Sequence, residues 1–360
     1  MFSYLIFLCL WFLNFFQYEF AKRPSPKAAT KGKRKRGYSS GKPKPKPRFN
    51  TTVRCSLKEV AACVDLLQDR HLLVLKEAEL LHLKDFKIKS NISRTLGCFL
   101  MYHIDPATMI LDLGGNKKLE ITADVIYKLF ALPRGNDSPP RASEEYVIPL
   151  RDLKEELGID RDVELESDDL KKILEGLVLD DTKDALALKV FGLMLYNKFI
   201  CPGYHPRIKK EATMVVDFDL VKLKYMQLCQ LVVDELRIAI TLWHAADKPG
   251  ALPGCVVAPI LAYLDCLDHR IVDRKNRSIP RAIHLDPKLL AKLVKLDLVK
   301  EGGPDPRSWK YGKLPVSHLF PFLFCTAFYF VSSYFLAVYF LNCYIIRFLY
   351  FSRLCYLSFL

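Results

Sequence analysis

The sequence predicts a mainly α fold with a small β-hairpin, flanked at both ends by hydrophobic segments, and three observations carry that prediction. Apolar residues recur at helical spacing behind capping side chains at Ser56 and Thr122. Two short runs, 109–113 and 118–121, flank Gly114, Gly115 and Asn116, the pattern of a hairpin with a glycine turn. Residues 255–264 carry no charge, which suits a helix buried on most of its sides better than an amphipathic surface helix.

Taken in chain order, Ser56 stands at an N-cap position with Glu59 three residues on, and Val60, Cys63, Leu66 and Leu67 follow at helical spacing. Residues 72–83 form a second helical candidate. An apolar run at 98–102 gives way to a polar connection at 103–107 and then to the hairpin. Thr122 caps 123–130, with Asp124 in the first turn where an acid complements the helix dipole, and Leu132, Pro133, Arg134 and Gly135 stop that helix. A polar loop at 136–143 contains Pro139 and Pro140.

Helical periodicity returns over 150–157, 168–177 and 182–200, with an acidic, solvated connection at 160–167 and a stop at Cys201, Pro202 and Gly203. A helix over 218–239 precedes a Pro and Gly break at 248–254. The segment 255–267 is the expected centre of the core, and its Pro259 is tolerated without a kink only in the first turn. A short helix over 286–296 and a loop at 302–306 complete the soluble-looking region.

Charge divides the chain further. The formal net charge is +14, and the stretch from Lys22 to Arg48 holds twelve Lys or Arg residues, five prolines and no acid. Such a stretch buries too little apolar surface to offset the entropy of ordering, so it reads as an extended, disordered arm. The resulting organisation is a hydrophobic segment at 1–17, a basic arm at 18–51, a helical region at 52–316 and a hydrophobic tail at 317–360. The remainder is nearly neutral and predicts no basic groove on the folded region.

Within the arm, Lys33, Arg34, Lys35 and Arg36 form a compact cluster, while Lys42, Lys44, Lys46 and Arg48 alternate with proline along a polyproline-like segment. These eight residues are the candidate contacts to nucleic acid or to a nuclear import factor. Tyr38 and Phe49 are the aromatics near them, so phosphate neutralisation without base selection is expected, with strong salt dependence.

Residues 1–17 and 319–346 contain no charged side chain. The second exceeds the roughly 20 residues that cross a bilayer, and a transmembrane helix is expected there, with a lipid bilayer as partner of the termini. A buried hairpin is the competing reading. Positive charge follows the first segment rather than preceding it, so insertion would make it a reverse signal anchor with the arm on the cytosolic side.

Eleven cysteines lie scattered without C-x-x-C pairs, a pattern of buried thiols in a reducing compartment rather than of zinc or a disulfide framework. Phosphate-loop, dinucleotide-turn, H-E-x-x-H and G-x-S-x-G motifs are missing from the sequence. Cys266 with His269, and Cys201 with His205, have helical spacing but lack further ligands or a specified cleft. Asp180, Asp181 and Asp184 read as a capping and solvating cluster. No catalytic, cofactor or metal residue is assigned.

Leu111, Gly114, Leu119, Ile121, Thr122, Asp124, Val125, Phe130, Leu132, Pro133 and Gly135, then the apolar helix over 190–202, then the glycine-led helix over 254–265, stand in an order that resembles the plant mobile domain family, which also carries an aminotransferase-like label. The resemblance covers roughly 81–268. It implies a helical, transposon-derived domain with no established catalytic constellation, acting in nuclei, gene silencing or genome maintenance. The expectation is therefore a non-enzymatic nuclear protein whose helical domain binds another macromolecule, with a membrane-anchored adaptor as the alternative and an enzyme as a weaker one.

Overall fold

The computed structural model describes residues 51–88, 93–114, 117–139, 147–160, 162–209, 212, 220–246, 250–271, 278–300 and 308–316. They fold mainly as helices with three small sheets, two of two strands and one of three. The hydrophobic segments 1–17 and 317–360, and the arm 18–50 with all eight of its candidate residues, lie outside the described residues. The transmembrane helix expected at 319–346 falls in that tail; among the described residues no helix is long and apolar enough to cross a membrane. The longest of them, Leu228–Ala245, carries Asp234, Glu235 and Arg237.

β1 (Thr52–Val53) leads into α1 (Leu57–Val64), where the Ser56 hydroxyl accepts from the Glu59 N–H and fixes the first turn as its sequence demands. α2 (Asp69–Glu77) is shorter than the periodicity suggests, and a 3₁₀ turn at Leu81–Asp85 takes up the rest. α3 (Arg94–His103) runs straight into β2 (Ile104–Asp105), so part of the expected polar connection is a strand. β2 pairs with β3 (Ile110–Asp112), and β3 with β4 (Lys118–Glu120), giving an antiparallel three-stranded sheet instead of a lone hairpin.

Thr122 caps α4 (Ala123–Phe130), which ends in a left-handed Ala131. The segment after it is strapped to residues 225–227 by Gly135 N–H to Met226 O at 3.0 Å and Asp137 N–H to Tyr225 O at 2.8 Å. The approach is close enough that a Cβ on Gly135 would fall 1.8 Å from the Tyr225 carbonyl, which excludes any side chain there. α5 (Val147–Glu156), α6 (Leu170–Leu177) and α7 (Asp184–Leu195) follow, and α7 widens into a π turn at Tyr196–Ile200.

α8 (Leu228–Ala245) leads to β5 (Ala251–Leu252), which pairs in parallel with β1 across nearly 200 residues: Thr52 faces Ala251 and Val53 faces Leu252. Gly254 then turns at φ +68°, where a Cβ would meet that of Ala239 at 2.9 Å. α9 (Val257–Cys266) packs on α3, α4 and α10 (Pro287–Asp297). All of α9 except Asp265 is buried, as the uncharged run predicts, and Pro259 sits in the first turn, where its missing N–H costs nothing. β6 (Leu298–Lys300) pairs antiparallel with β7 (Lys310–Tyr311).

The core is one continuous apolar cluster. Phe130 meets Phe199 edge-on at 4.8 Å, joining α4 to the π turn, and Phe99 of α3 meets Tyr311 of β7 at 5.1 Å.

Candidate functional site

Buried polar side chains concentrate at three places, and the first is the π turn. Asn197 donates from Nδ2 to the Leu193 carbonyl at 2.9 Å and accepts on Oδ1 from the Lys209 N–H at 2.9 Å. The Lys198 carbonyl accepts from the Ser56 N–H at 2.8 Å, so the widened turn is where α1 and α7 are tied together. Single π turns inside helices recur at functional sites.

The Lys198 ammonium is 8% exposed and bridges Glu59, at 2.9 Å, and Asp168, whose side chains are 42% and 60% exposed. Burial alone would pull its pKa down, but hydrogen bonds to Asp168 and Glu59 outweigh burial and hold it above the ordinary lysine value. Amine chemistry requires the opposite, a depressed pKa. Lys198 is set up as a permanent cation inside a rim of acids.

The second place joins α2 to the start of α7. The His71 side chain is buried; its Nδ1 accepts from the Gln68 N–H at 3.2 Å, which leaves the proton of the neutral ring on Nε2, 2.9 Å from Asp184 Oδ1. Arg70 Nε donates to both Asp184 oxygens at 2.7 and 2.8 Å, and its Nη2 reaches Asp181 at 2.7 Å. Asp181 and Asp184 thus fasten α2 rather than only solvating a helix start, while Asp180 caps through its bond from the Thr182 N–H. Both His71 nitrogens are engaged, so the His–Asp pair has no free base position for a nucleophile.

The third place is Asp297, fully buried at the end of α10. Its carboxylate accepts from the Tyr263 hydroxyl at 2.6 Å and from the Gly312 and Leu314 N–H groups at 3.0 and 2.9 Å. The Lys313 N–H reaches its carbonyl at 3.1 Å. Burial, with the carboxylate beside it, raises the Tyr263 pKa, so the phenol stays a donor. One side chain therefore binds α9 and the 310–314 strand segment to α10.

Seven cysteines among the described residues stand outside disulfides and are buried. Burial pushes the thiols of Cys63 and Cys98 up to about 12 and that of Cys229 up to about 11, far from the thiolate that acts as a nucleophile. The cysteine–histidine pairs suggested by spacing do not form sites: Cys201 is buried while His205 is exposed, and His269 accepts from the Ile271 N–H at 3.2 Å beyond the buried Cys266. Among the described residues no group of three or more His, Cys, Asp or Glu is placed to hold a metal ion.

Of the polar clusters just described, the sequence reading singled out only the acids Asp180, Asp181 and Asp184, without their partners Arg70 and His71. A lysine standing inside the apolar stretch 190–200 was a further available signal; nothing marked His71 or Asp297.

Fold and clusters together define a helical domain whose buried charges are spent on joining its own elements. The chain belongs to the family of a domain of unknown function, DUF8566, whose model matches residues 53–260. That family replaces the plant mobile domain, aminotransferase-like and transposon-derived labels, which the match does not carry. No curated protein and no solved structure matches the chain.

Proposed function

We propose that the chain is a non-enzymatic nuclear protein whose helical body binds another macromolecule and whose basic arm assists through contacts to an import factor or to nucleic acid. The observation supporting this reading is that Cys63, Cys98, Cys229 and Lys198 are all held in their protonated, unreactive forms, while His71, Asn197, Lys198 and Asp297 are each committed to partners within the fold. Chemistry at neutral pH needs groups displaced toward reactivity. These are displaced away from it.

Within the proposal, Lys33, Arg34, Lys35 and Arg36 address the protein to the nucleus, and Lys42, Lys44, Lys46 and Arg48 add phosphate contacts along an extended segment. The test is the distribution of full-length, tagged protein in intact cells. Replacing Lys33, Arg34, Lys35 and Arg36 with Ala abolishes nuclear enrichment if the cluster has this role; an unchanged distribution rejects it.

A further inference from the structure

α10 buries Leu290 and Leu293 and turns Lys288, Lys292 and Lys295 to solvent. At spacings of four and three these lysines share one helical face, with axial rises of about 6 and about 4.5 Å between them. The chain passes directly from α10 into β6, whose Lys300 is the register partner of Lys310 on β7, and both are exposed. Like charges placed directly across a strand pair repel. Among the described residues, no ion pair joins any of these five lysines to a carboxylate, and the acid at the end of α10, Asp297, is buried and committed to Tyr263, Gly312 and Leu314.

We infer that α10 and the β6–β7 pair form a second, folded binding surface for the phosphate backbone of nucleic acid. Five unpaired ammonium groups, two of them opposed, are relieved by a polyanion and by nothing among the described residues. Lysine is a point charge on a flexible stem, which suits sequence-independent phosphate contact rather than bidentate base reading. A bilayer surface is the less suited partner, because Leu289, Leu290, Leu293 and Val294 of α10 pack on the core, Leu296 is half-buried, and Val299 is the large apolar side chain that the α10–β6 stretch leaves exposed. The near-neutral balance outside the arm concealed this surface, since charges of both signs cancel in the count but not in space.

This inference rests on the macromolecule-binding reading above and is tested apart from it. Full-length protein is titrated against a fluorescent random-sequence DNA duplex over a range of salt concentrations, as wild type, with the cluster Lys33–Arg36 replaced by Ala, and with Lys288→Gln, Lys292→Gln and Lys295→Gln combined. Loss of three phosphate contacts lowers the slope of log K against log salt by about 2.7, and at 0.1 M monovalent salt weakens binding by up to about eightfold per lysine. Adding Lys300→Gln and Lys310→Gln lowers the slope further, while the matching Lys→Arg set restores it. An arm variant that loses binding beside an α10 variant that keeps the wild-type slope overturns this surface and leaves the arm's role standing. Absence of wild-type binding to the duplex overturns both nucleic-acid roles, and preferential capture by phosphatidylserine vesicles that the α10 substitutions abolish overturns the choice of partner.

Discussion

Replacing Asp297 with Ala is the sharpest probe of how the body is held together. The carboxylate is completely buried and accepts from the Tyr263 hydroxyl and from two backbone N–H groups, at 2.6, 3.0 and 2.9 Å. Truncation leaves one buried and two half-buried donors without an acceptor, at roughly 1–3 kcal/mol each if none reaches water. Partial relaxation of the 310–314 segment toward water reduces the sum, so about 4 kcal/mol is expected, against about 1.5 kcal/mol for Tyr263→Phe, which removes one donor and leaves the carboxylate two. Urea unfolding gives the two values from shifts in midpoint at unchanged slope. Hydrogen exchange adds the local signature, since Gly312 and Leu314 amides lose protection in Asp297→Ala before the rest of the core does. A cost for Asp297→Ala within 1 kcal/mol of wild type, or unaltered protection at those two amides, refutes the argument.

Three other outcomes follow from the clusters. Lys198→Met removes a buried charge whose partners Glu59 and Asp168 reach solvent, so it costs at most about 1 kcal/mol, whereas Glu59→Gln with Asp168→Asn strands the ammonium and costs about 3 kcal/mol; equal effects in urea titration contradict this asymmetry. The hydrogen bond from Arg70, with His71 adding to it, holds the Asp184 carboxyl below its ordinary value of 3.8, so its contribution to stability is complete above that pH and fades as pH falls through the lower folded value. Asp184→Asn is therefore less stable than wild type at pH 6, and the gap narrows by pH 3; a gap that widens on acidification reverses the sign and the reasoning. Alkylation by iodoacetamide at pH 7, resolved by peptide mass spectrometry, reaches Cys63, Cys98 and Cys229 only as fast as the body opens, and rapid labelling of any of them in the native protein contradicts their burial.

What was legible in the sequence was local. Ser56 with Glu59, and Thr122 with Val125, form caps within four residues of chain, and the alternation around Gly114 needs only its immediate neighbours. The uncharged run of α9 announced its own burial. The parallel pairing of β1 with β5 was not readable, because two-residue strands carry no period and their partners are nearly 200 residues apart. Periodicity continued smoothly through 182–200 and hid the π turn, since a single widened turn leaves the apolar pattern intact. Asp297 reads as an ordinary polar residue at a helix end until the return of 310–314 encloses it. Lys288, Lys292 and Lys295 were in plain view as a helical stripe, yet a net-charge count could not separate a solvated face from an uncompensated one.

The Asp297 anchorage also bears on where an independently folding piece ends. The DUF8566 match stops at residue 260, four residues into α9, and omits Tyr263, α10 and the chain that comes back at 310–314. Cutting there halves the most enclosed helix of the molecule and uncovers the ring of Phe99 that Tyr311 shields. Cohesion reaches past the matched stretch, and a fragment trimmed to residues 53–260 would lack its own keystone.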